Sequence, residues 1–107
     1  MRLRRRGPFD ELVERQLALF AEDERELLDE ATAAEAAWVG SGRETAEEAY
    51  GDYQLVVDAI ADRLLDIREA YAATLASDTS DAYRRAFAAG ATRRFRRYAS
   101  LVADLEA

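Results

Sequence analysis

The residues best equipped for chemistry are carboxylates and arginines. Asp58, Asp62, Asp66 and Glu69 follow one another at i+4, i+4 and i+3, and Glu44, Glu47, Glu48 and Asp52 crowd the stretch before them. Oxygen ligands of that kind suit a hard cation such as Mg²⁺ or Mn²⁺. Nothing widens the catalytic choice: the 107 residues include no Cys and no His. Thiol nucleophiles, imidazole acid–base chemistry, Cys/His metal sites and disulfides are therefore closed.

The enzyme comparison is with the all-α nucleotide pyrophosphohydrolases, whose paired acidic motifs on adjacent helices bind Mg²⁺, and it fails on geometry. Rotating each residue by about 100° sets Asp58, Asp62 and Glu69 opposite an Ile60/Ile67 stripe, facing water, with no matching pair on the preceding helix. Glu44, Glu47 and Glu48 suit the positive end of a helix instead. The expectation is a non-enzymatic protein with no cofactor, a carboxylate-only Mg²⁺ or Mn²⁺ site being the catalytic alternative.

All 15 basic residues are Arg. That composition reads either as a preference for bidentate contacts with phosphate or carboxylate or as plain compositional bias. Arg93-Arg94-Phe95-Arg96-Arg97 is the densest run, and Arg93, Arg96 and Arg97 are its candidate anion-binding residues. With Arg5 and Arg6 they support a nucleic-acid or anionic-surface alternative. The charge map opposes it: residues 1–8 carry +4 and 77–107 carry +2, but 9–42 carry −8 and 43–76 carry −5. Two acidic helices would repel the polyanion that a basic third one attracts.

The elements that must position these groups are helices. Pro8 suits a first helical turn, and Phe9, Val13, Leu17, Phe20, Leu27, Ala31, Ala34 and Trp38 recur at 3/4 spacing, broken only at residue 24. Gly40-Ser41-Gly42 ends that run, and Ser41 with Glu44 reads as a capping box. A second stripe follows at Tyr53, Val57, Ile60, Leu64, Ile67, Tyr71 and Leu75. A third runs through Phe87, Ala91, Phe95, Tyr98, Val102 and Leu105, with Ser77 or Ser80 as its cap. Helices of about 9–39, 43–76 and 80–106 are predicted. Short turns make neighbours antiparallel, giving an all-α, elongated up-down-up three-helix bundle that a second copy could complete. Residues 1–8 form a basic tail, and 9–107 one helical domain.

Glu24 occupies a core position between Phe20 and Leu27. A charge there must be paired, and folding the bundle brings Arg63 and Arg94 within reach. Glu24, Arg63 and Arg94 are thus a candidate buried ion-pair network.

Trp38-Val39-Gly40, in the turn of a helical hairpin about 40 residues into the chain, resembles the WXG family of small secretion substrates. The likeness spans roughly residues 9–76 and implies a secreted helical hairpin. The third helix is extra, and none of the five tyrosines begins a Tyr-x-x-x-Asp/Glu export signal.

Of 53 hydrophobic residues 23 are Ala, so the core is thin. Leu55 and Leu65, with Leu12 and Leu19, lie off the main stripes, and Leu55 and Leu65 are the candidate interface. The leading expectation is action through protein–protein contact, as a homo-oligomer or with a protein partner. No stretch has the length or apolarity of a membrane span, and the expected compartment is the cytoplasm.

Overall fold

A computed structural model describes residues 7–98, and within them the chain is all-helical. The basic residues Arg2 to Arg6 and the last part of the third apolar stripe, Leu101, Val102 and Leu105, lie outside the described residues. Four helices stand where three were expected: α1 Asp10–Asp23, α2 Arg25–Val39, α3 Ala46–Ala72 and α4 Ser77–Arg94.

The extra helix comes from a break at Glu24, whose φ of −107° and ψ of 30° leave the helical region. It falls at the one charged position within the apolar stripe. An unbroken helix would drive a carboxylate into the apolar stripe, whereas the break leaves Glu24 half-buried against Arg63 of α3. It also redirects the chain, so that α1 packs chiefly on α4 and α2 chiefly on α3.

Ring contacts fix the directions. Phe9 meets Tyr83 at 5.5 Å and Phe20 meets Phe95 at 5.9 Å, so α1 and α4 run the same way. Tyr71 meets Tyr83 at 4.8 Å and Tyr53 meets Tyr98 at 6.4 Å, so α3 runs against α4. The core is the apolar stripe of each helix: Val13, Leu17 and Phe20 from α1, Ala31 from α2, Tyr53, Val57, Ile60 and Leu64 from α3, and Tyr83, Phe87 and Ala91 from α4. Gly90 allows α1 to approach α4 closely. A Cβ built there would sit 2.8 Å from Val13 Cγ1 and 3.3 Å from Leu17 Cδ1, so α1 and α4 cross where α4 has no side chain.

The helix ends differ from expectation. Ser41 donates its hydroxyl to the Trp38 carbonyl at 2.6 Å, closing α2, and no capping box forms. Accordingly α3 begins at Ala46 rather than 43, without a side-chain cap on Thr45, and it ends at Ala72 rather than 76. No serine caps α4, whose N-cap is Ala76; Ser80 donates to the Ser77 carbonyl inside the first turn instead. The helix ends at Arg94, residues 95–98 are not helical, and residues 99–106 of the expected helix lie outside the described residues. Leaving the helix there still keeps Phe95 and Tyr98 buried, turned onto Phe20 and Tyr53.

Candidate functional site

Glu24 and Arg63 form an ion pair across the α1–α2 break. Glu24 is 28% and Arg63 50% exposed, so the pair sits at the surface rather than in the core. Arg94 does not join it. Arg94 instead lines, with Glu14, Leu17 and Gly90, a groove between α1 and α4. The break opens a shallow acidic depression of about 580 Å³, where Glu22, Asp23, Glu26 and Glu30 surround the pair.

The arginine run is divided by its partners. Arg97 reaches Glu35 of α2 and lies 5.5 Å from the centre of the Tyr98 ring. The bond to Glu35 raises the Arg97 pKa further. Its charge is thus engaged within the fold. Arg93, Arg94 and Arg96 are exposed, and the first two line a groove of about 470 Å³ between α1 and α4. Leu17, Ala18 and Gly90 contribute apolar and backbone surface to that groove, and Glu14 completes the rim.

The carboxylates of α3 likewise part company. Glu69 accepts two hydrogen bonds from Arg84, Nε to Oε2 and Nη2 to Oε1, both at 3.0 Å, and a third from Arg68 at 2.8 Å. The bonds from Arg84, then those from Arg68, hold its carboxyl below the usual carboxylate range. Asp58 accepts a hydrogen bond from Gln54 at 3.0 Å, and Asp52, Asp62 and Asp66 are exposed along the outer face of α3. Among the described residues no three Asp or Glu side chains gather as ligands for a metal ion.

No known family, curated protein or solved structure matches the chain. The Trp38-Val39-Gly40 likeness therefore stands on those three residues. In the fold Trp38 stacks on Tyr53 at 5.5 Å and meets Tyr50 edge-on at 4.8 Å, joining the end of α2 to the start of α3.

The two candidate interface leucines separate as well. Leu55 is 69% exposed, whereas Leu65 is half-buried against the core and belongs to no outer face. Leu12 is also packed on the core, while Leu19 is 57% exposed. Sequence reasoning missed the specific pairs Arg84–Glu69, Arg97–Glu35 and Tyr83–Gln16. The Arg84–Glu69 fork was legible in part, since both residues lie within two turns of the α3–α4 connection. The bond from the Tyr83 hydroxyl to Gln16 Oε1, 2.8 Å long between α4 and α1, left no signal in the spacing. No helix among the described residues is long and apolar enough to cross a membrane.

Proposed function

We propose that this chain is a non-enzymatic helical protein that works by protein–protein contact, with itself as its partner. The observation that carries the reading is the set of large apolar side chains left in water: Leu19, Val39, Tyr50 and Leu55 are 57%, 76%, 43% and 69% exposed. Single exposed leucines are ordinary. Here they are withheld from a core that has few large residues to spare. On this reading α1 and α2 act as one bent rod, α3 returns and α4 runs up again, and a second copy completes the bundle. Size-exclusion chromatography with light scattering from about 1 to 300 μM tests it. The mass should rise above the 12.0 kDa of one chain; a constant 12.0 kDa removes the reading.

A second reading is favoured by the exposure of Arg93, Arg94 and Arg96: contact with nucleic acid or an anionic surface. Phosphate contacts release counterions, so binding to a DNA duplex should fall steeply with salt. Binding that ignores salt removes this alternative.

A further inference from the structure

The outward ridge of α3 holds a residue that the fold does not explain. Leu55 lies one turn beyond Gly51 and one turn short of Ala59, with Asp52, Asp58 and Asp62 beside this line. Glycine weakens a helix interior. At Gly90 the crossing of α1 requires it, but a Cβ at Gly51 would meet nothing within 4 Å. Its absent side chain serves no contact within this chain. A small residue next to an exposed leucine is what close approach by another backbone needs.

We propose that this α3 ridge docks into the α1–α4 groove of a second copy of the chain. The inference rests on the self-association reading and names the two surfaces that meet. The groove offers what the ridge lacks. Its floor carries Leu17, Ala18 and Gly90, its rim carries Arg93 and Arg94 with Glu14 as the single carboxylate, and its volume of about 470 Å³ admits a leucine side chain. Leu55 enters the floor while Asp58 and Asp62 meet the two guanidinium groups, whose planar forks match carboxylates. Gly51 and Ala59 let the α3 backbone settle close to the rim.

Charge selects this pairing over the symmetric ones. Ridge against ridge would set Asp52, Asp58 and Asp62 against their own copies, and groove against groove would set four arginines against only two Glu14 carboxylates, leaving an excess of positive charge. Unlike surfaces meet, so the contact is heterologous, and copies add in a row unless the rotation closes a ring.

The test is sedimentation and light scattering at low salt on the whole chain, with circular dichroism to show that each variant is folded. Asp58→Arg/Asp62→Arg and Arg93→Asp/Arg94→Asp should each weaken self-association at least about tenfold, because each sets like charges face to face. Mixed in equal amounts they should associate again, since each reversed ridge then faces an oppositely charged groove. Gly51→Leu should also weaken association, with helix content unchanged or raised. Wild-type association that survives either reversal, or variants that fail to recover on mixing, overturn this pair of surfaces and leave self-association standing. A wild-type chain that stays monomeric overturns both. A monomer that binds a DNA duplex through Arg93 and Arg94 gives the groove to a polyanion and equally overturns the proposal.

Discussion

Replacing Gly90 by Ala sets two effects of known sign against each other. The new Cβ would stand 2.8 Å from Val13 Cγ1 and 3.3 Å from Leu17 Cδ1, where carbon atoms prefer about 3.5 to 4.0 Å. Relief therefore demands a shift of roughly 0.7 Å or more at Val13. Val13 and Leu17 are both buried, so neither can swing into water, and the shift must move α1 or force a rotamer. Overpacking of this kind costs about 1–3 kcal/mol. Alanine returns about 1 kcal/mol through helix propensity. The net expectation is a loss of about 1 kcal/mol, or a Tm lower by about 4–8 °C for a chain of this size.

Gly51→Ala is the control with the same chemical change. Nothing lies within 4 Å of a Cβ there, so the monomer should gain about 1 kcal/mol from propensity alone. The two variants should differ by about 2 kcal/mol in urea melts followed by circular dichroism. A double-mutant cycle isolates the clash: Gly90→Ala should cost less in a Val13→Ala background, because the opposing methyl is gone. Equal stabilisation by both glycine replacements would refute the close α1–α4 crossing.

Other perturbations follow from single contacts. Glu24→Leu should be neutral or stabilising, since it restores the apolar stripe at little loss from a surface ion pair. Arg63→Ala should then cost under about 1 kcal/mol, and Arg94→Ala should leave the Tm unchanged because Arg94 does not touch Glu24; a large loss from Arg94→Ala would show that the pairing is misassigned. Glu69 has its pKa lowered in the fold, so its stabilisation is full above the unfolded value of about 4.3 and is lost as the pH falls through the lower folded value. The Tm difference between wild type and Glu69→Gln should therefore hold from pH 7 to about 5 and close at lower pH; a gap that persists at pH 2 contradicts this. Tyr83→Phe removes the donor to Gln16 Oε1 and should cost about 1 kcal/mol. Burial pushes the Tyr83 phenol up, and burial does the same to Tyr53, so the variant should lose part, not all, of the late ultraviolet titration above pH 10.

Much of the fold was legible because burial imposes a local period. Val13, Leu17 and Phe20 on α1, and Tyr53, Val57, Ile60 and Leu64 on α3, were readable as core from spacing alone, and all are buried. Spacing gives the face of a helix but not its bend. Spacing sets Glu24 at a core position of one long helix, whereas the structure breaks the helix there and leaves Glu24 half-buried in a surface ion pair. Arg63 reaches Glu24 while Arg94 lines a groove farther up α1, a choice that spacing along one helix cannot make. Ends were less legible for a similar reason. The Ser41 hydroxyl had two competing carbonyl or amide partners within four residues, and it closes α2 instead of opening α3.

The charge asymmetry along the sequence gains a spatial meaning from these particulars. An acidic pair of segments beside a basic third suggests internal neutralisation, and α4 does reach the acidic helices at Arg84–Glu69 and Arg97–Glu35. Those contacts lie towards its start and just past its end. Between them Arg93, Arg94 and Arg96 face outward, as do Asp52, Asp58 and Asp62 on α3. Rotating α4 to pair these groups internally would pull Tyr83, Phe87 and Ala91 out of the core, a loss of several kcal/mol in apolar burial against surface ion pairs of about 0–1 kcal/mol each. Burial therefore sets the rotation of α4, and the charges it leaves outside are complementary surfaces separated on one molecule. They can meet only between molecules, which is why reversing both sides, each in a separate copy, is the perturbation that isolates them.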